Sequence, residues 1–144
     1  YILCYGVLHH TTNPEKILTK FNKWLKGSGE VELLLYHRIS FVRIEREVVE
    51  KLNYILNIGQ LLPTDFKQRI EWWDKYENPV WETYTKDEAE QMVKEAGFKI
   101  DELWLSNTPF GQFTNWILPP IIRKPLESLF DGYKWHIRIR ATIK

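Results

Sequence analysis

Tyr1-Ile2-Leu3-Cys4-Tyr5-Gly6-Val7-Leu8-His9-His10-Thr11-Thr12-Asn13-Pro14 opens the chain, and the reading of this stretch decides the fold. Residues 1–5 have the apolar continuity of the end of a buried strand, and Gly6 lets the backbone turn sharply after them. Asn13 is a natural N-cap, and Pro14 suits the first helical position, where its missing N–H costs nothing. Beyond it, Ile17, Leu18, Phe21, Trp24 and Leu25 fall on one stripe of a 3.6-residue repeat, with Lys16, Lys20 and Lys23 toward water. Gly27 and Gly29 end that helix. Val31 to Tyr36 is too continuous for a one-sided surface strand and short enough for a parallel strand covered on both faces. Strand, helix, strand at this spacing predicts a right-handed parallel crossover, the repeating unit of doubly wound α/β sheets.

Working outward, the spacing of Phe41, Ile44, Val48, Leu52, Ile55 and Leu56 predicts a helix over 40–58, with Gly59 as its stop. An aromatic stretch follows from Pro63 to Tyr84, broken by Asn78-Pro79. Thr85-Lys86-Asp87-Glu88 is a capping box. It opens a helix whose Ala89, Met92, Val93 and Ala96 share a face and whose C-terminal cap is Gly97. Residues 98–105 read as a strand, and 106–132 as a long connection punctuated by prolines, with an amphipathic middle from Trp116 to Phe130. The end alternates: Trp135, Ile137, Ile139, Ala141 and Ile143 lie on one face of a final strand, and His136, Arg138, Arg140, Thr142 and Lys144 on the other.

The 144 residues are 44% hydrophobic and 27% charged, the make-up of one globular domain. Twenty Lys+Arg against 19 Asp+Glu leave a formal charge of +1, so no field of one sign points to nucleic acid or acidic lipid. Arg138, Arg140 and Lys144 make a basic edge, but three charges on one strand face are a solvated surface, and no nucleic-acid partner is expected. Cys4 is the single cysteine, which rules out an intrachain disulfide and fits a reducing, cytoplasmic setting. His9, His10, His37 and His136 have no metal-ligand spacing, so no metal is expected. No stretch approaches the roughly 18 apolar residues that a membrane-crossing helix needs. The prolines at 119 and 120 interrupt the apolar and basic segment 116–124 and argue against a continuous interfacial helix. Aromatic residues reach 15%. Trp72, Trp73, Trp81 and Trp116 are expected to pack the insertions against the sheet.

In an open parallel sheet, ligands bind beyond the carboxyl ends of the strands, where loops and helix N-termini converge. That rule selects Gly6 to Thr12, Tyr36-His37-Arg38, and the chain from Ser106 onward. The insertions at 39–84 and 106–134 begin or end on the same rim, as a lid over a cleft would.

Tyr5-Gly6-Val7-Leu8-His9-His10-Thr11, Asn13-Pro14-Glu15-Lys16, Trp24-Leu25-Lys26-Gly27-Ser28-Gly29-Glu30 and Leu35-Tyr36-His37-Arg38 together resemble the second half of class I S-adenosylmethionine-dependent methyltransferases. The resemblance covers 1–38 closely and 85–105 and 135–144 more loosely. The insertions carry no family signature. It implies one partial, doubly wound, Rossmann-like α/β sheet with helical, aromatic-rich insertions. Its parts would be a strand–helix–strand core (1–38), a helical insertion (39–84), a helix and strand (85–105), a lid-like insertion (106–134) and a closing strand (135–144).

The chain opens without Met, inside an apolar run. With the first strand assigned as the family's fourth, the glycine-rich cofactor loop and the acidic ribose ligand are expected upstream of Tyr1, and 1–144 alone is expected to be inactive. The resemblance also implies S-adenosylmethionine as cofactor, with Cys4, Tyr5, Gly6, Val7 and Leu8 beside its methionine end. Tyr36 and Arg38 are the expected contacts of a small or lipid-like methyl acceptor. His10, His37 or His9 would be the base for a hydroxyl acceptor, since imidazole titrates near neutrality. The competing expectation is a noncatalytic α/β module that grips a protein partner with its aromatic insertions.

Overall fold

The computed structural model describes residues 1–56, 80, 82–110 and 112–144. Within them the chain forms β1 (Ile2–Tyr5), α1 (Pro14–Trp24), β2 (Glu30–Tyr36), α2 (Phe41–Leu56), α3 (Lys86–Glu95), β3 (Phe98–Ser106), α4 (Gln112–Ile117), α5 (Pro120–Leu129) and β4 (His136–Ile143). The predicted stop at Gly59, the Asn78-Pro79 break, and Trp72, Trp73 and Trp81 lie outside the described residues. No helix among the described residues is long and apolar enough to cross a membrane.

The strands form one mixed sheet in the order β1-β2-β4-β3. β1 and β2 run parallel with α1 between them in sequence, whereas β4 enters antiparallel between β2 and β3. The final strand is therefore interior. A bulge between Ile100 and Glu102 leaves Asp101 as an extra residue on β3.

Local chemistry accounts for the element ends. Asn13 Oδ1 accepts the Lys16 N–H at 3.0 Å, capping α1. At α3, Thr85 Oγ1 accepts the Glu88 N–H at 3.2 Å while Glu88 Oε2 accepts the Thr85 N–H at 2.8 Å, which completes the capping box. Gly6 and Gly97 sit at φ of 70° and 90°, in the left-handed region that disfavours side chains.

Helices α1 and α3 cover one face of the sheet. Leu18, Ala89, Met92 and Val93 meet Cys4, Val31, Leu33, Leu35, Ile137, Ile139 and Ala141 in a single core, so every inward position of β4 is filled as its alternation predicts. The other face is mixed: the Arg138 guanidinium lies 5.1 Å from the Tyr5 ring centre and that of Arg140 6.0 Å from Trp104. Aromatic faces attract these cations, and the long stems cover apolar neighbours, which lets an interior strand carry arginines.

Two readings of apolar stripes are modified. Trp24 is 65% exposed, because Leu25, just past the helix end, takes the inward position and packs against Gly29. On α2, Ile44, Val48, Leu52 and Ile55 point outward, while Phe41 at its start joins Phe110, Phe130 and Tyr133 in an aromatic cluster. The 106–134 connection is largely helical, as α4 and α5, with Pro125 inside α5.

Candidate functional site

The carboxyl ends of β1 and β2 meet where the turn after Gly6 passes over Tyr36. Leu8–His10 form a single 3-10 turn, closed by the His10 N–H on the Val7 carbonyl at 3.0 Å and the Thr11 N–H on the Leu8 carbonyl at 3.2 Å. Fully buried Leu8 anchors this turn in the core. The anchored turn places the His9 ring on Tyr36, with centres 3.8 Å apart, and the His10 ring 4.3 Å from His9 and 5.9 Å from Tyr36. Trp135 stacks on Tyr36 at 4.5 Å, and His136 lies 5.9 Å from it. Rings from β1's turn, β2 and the start of β4 thus converge on one rim.

The imidazoles of His10 and His37 are held by backbone carbonyls. His10 Nδ1 lies 3.0 Å from the Val80 carbonyl, and His37 Nδ1 lies 3.0 Å from the Lys134 carbonyl. A carbonyl only accepts, so both Nδ1 atoms carry hydrogen and each neutral ring keeps its lone pair on Nε2. His37 is buried, which pushes its pKa below the ordinary histidine value.

Along the expected cofactor strip, the Cys4 side chain is buried in the core, and its pKa is raised by that burial despite a hydrogen bond from the Leu8 backbone. Tyr5 points to the mixed face, where its hydroxyl donates to Glu32. The side of Gly6 that a side chain would occupy has no atom within 4 Å, and Val7 projects outward. The backbone at Gly6 therefore borders open space.

Arg38 is engaged within the chain. Its Nε and Nη2 donate to the Thr83 carbonyl at 3.1 and 2.6 Å, and its Nη1 donates to Glu88 at 2.7 Å. Thr83 belongs to a strap whose described residues are 80 and 82–84. The Glu82 N–H donates to the His9 carbonyl at 2.9 Å, and the Tyr84 N–H donates to the Tyr36 carbonyl at 2.9 Å. Burial pushes the Tyr84 hydroxyl up to about 12.

The strap, Trp135 and Glu32 are absent from the expected site. The visible signal for Glu32 is a lone carboxylate inside the apolar run Val31 to Tyr36. Its pKa is held below the ordinary glutamate value first by the Tyr1 hydroxyl, at 2.6 Å, and then by that of Tyr5. Nothing local announces that the strap lands on this rim.

No protein-family model and no curated protein sequence matches the chain. Solved structures do. An S-adenosylmethionine-dependent methyltransferase of Thermotoga maritima superposes over 99% of the chain with a TM-score of 0.55 at 19% identity, and the matched part is 54% of that protein. One from Mesorhizobium loti superposes over 99% with a TM-score of 0.53 at 13% identity, across 61% of its own length. The chain thus spans little more than half of these proteins. Four strands in the order β1-β2-β4-β3, the antiparallel strand inserted last, and this likeness show that the chain has the α/β fold of class I S-adenosylmethionine-dependent methyltransferases.

Proposed function

We propose that this chain is the carboxyl-terminal half of an S-adenosylmethionine-dependent methyltransferase that modifies a small or lipid-like acceptor. The observation that carries this reading is the convergence of His9, His10 and Tyr36 at the carboxyl ends of β1 and β2, the end of the sheet where α/β folds bind ligands. S-adenosylmethionine, when bound, supplies an electrophilic methyl group on a sulfonium. The open backbone at Gly6 fits such a group, with the main chain of Cys4 to Leu8 beside its methionine end.

His10 is our choice of base. Its Nδ1–H is committed to the Val80 carbonyl, so Nε2 is the nitrogen that takes the acceptor's proton, a contribution of about 10²–10⁴ in rate. Buried His37 ranks second, and His9, stacked on Tyr36, contributes packing. Tyr36, stacked with His9 and Trp135, backs the acceptor side of the rim with an aromatic layer. The lipid-like class is supported by the outward-facing apolar side chains Ile117, Ile121, Ile122 and Leu129 on α4 and α5.

Amide hydrogen exchange on the full-length protein tests this reading. Adding S-adenosylhomocysteine should slow exchange at Gly6 to His10 and at Tyr36 and His37. Unchanged exchange there, with no heat of binding by calorimetry, overturns it.

A further inference from the structure

We infer that Arg38 is a positioning residue for His10, acting through its hold on residues 82–84 of the strap, whose Val80 carbonyl fixes which His10 nitrogen carries hydrogen. The inference rests on reading His10 as the base. Arg38 follows the end of β2, grips the strap at two carbonyls and reaches α3 with a third arm. Its backbone N–H donates to the Tyr84 carbonyl at 2.8 Å, and its guanidinium fork holds the Thr83 carbonyl through Nε and Nη2. The third arm, Nη1, reaches Glu88, whose other carboxylate oxygen accepts the Thr85 N–H. A guanidinium is planar and forked, so gripping a carbonyl and a carboxylate at once leaves the strap little freedom of angle.

The strap's other end carries the consequence. The Glu82 N–H holds the His9 carbonyl, and the Val80 carbonyl takes the His10 Nδ1–H. An imidazole in water favours hydrogen on Nε2, the opposite tautomer from the one this contact demands. Keeping Nε2 as the proton acceptor therefore requires the Val80 carbonyl to stay where it is. Arg38 is the side chain that ties this segment to both β2 and α3. His37 is an internal control, since its Nδ1 bonds the Lys134 carbonyl, which lies off the strap.

Two-bond nitrogen–proton correlation spectra of histidine-labelled full-length protein, at a pH where the rings are neutral, read the tautomer directly. The native protein should show His10 with hydrogen on Nδ1. Arg38→Ala should convert most of the His10 population to the Nε2–H form. It should also speed exchange of the Glu82 and Tyr84 amides at least tenfold and leave the His37 pattern unchanged. Arg38→Lys, which cannot fork, should fall between the two. If His10 keeps hydrogen on Nδ1 in Arg38→Ala, the inference is overturned, whether or not the strap amides loosen. Should Arg38→Ala not fold, Glu88→Gln keeps an acceptor for the Thr85 N–H but removes the charge, and must shift His10 in the same direction; no shift there refutes it. These spectra need no cofactor, so a failed S-adenosylhomocysteine experiment and a failed tautomer experiment are separate results.

Discussion

Replacing Ile139 by alanine tests whether the covered face of the sheet is the core of this protein. Ile139 is 0% exposed in the middle of β4, between Leu33 of β2 and Leu103 of β3. The change removes three carbons. At about 0.8 kcal/mol per buried methylene the transfer loss is roughly 2.4 kcal/mol. The cavity adds to this, because interior neighbours on three elements relax only in part, giving a total of about 2–5 kcal/mol. The matched control is Ile55→Ala on α2, where the same side chain is 71% exposed and the cost should stay within about 0.5 kcal/mol. Urea unfolding followed by circular dichroism reads both. With a slope near 2 kcal/mol per molar urea, the Ile139→Ala midpoint should fall by roughly 1–2.5 M while that of Ile55→Ala stays close to native. Equal midpoints for the two variants would refute the assignment of the inward face.

Thr85→Ala should destabilise the protein by about 1 kcal/mol by removing one arm of the capping box that starts α3, and the loss should appear in the urea midpoint with no change in slope. His37 should make stability fall on acidification. Burial lowers its folded pKa below the ordinary 6.5, so below that value the unfolded chain binds the extra proton and stability rises with pH. His37→Gln should flatten the dependence of the urea midpoint between about pH 5 and 7, and an unchanged slope would show that His37 is not buried neutral.

The caps at Asn13 and Thr85, the turn at Gly6 and the alternation of β4 were legible in the chain because each is settled within a few residues. Trp24 and the outward stripe of α2 were less so. Periodicity shows that apolar side chains share a face, but which face meets the sheet depends on where the helix stops and what lies under it. Trp24 yields its place to Leu25 only because the helix ends between them. In the site, the paired imidazoles and Tyr36 were visible as rim residues. The grip of Arg38 on Thr83, 45 residues away, was not.

The sequence by itself determined a parallel strand–helix–strand unit, a capped helix before β3 and a last strand with one apolar face. Hydrogen bonds and side-chain periodicities a few residues long carry that information. Only the tertiary structure decided that β4 lies between β2 and β3, that His9 rests on Tyr36, and that Val80 reaches His10 across 70 positions of chain. Those outcomes depend on which surfaces bury one another when the whole chain packs, and no local pattern records them.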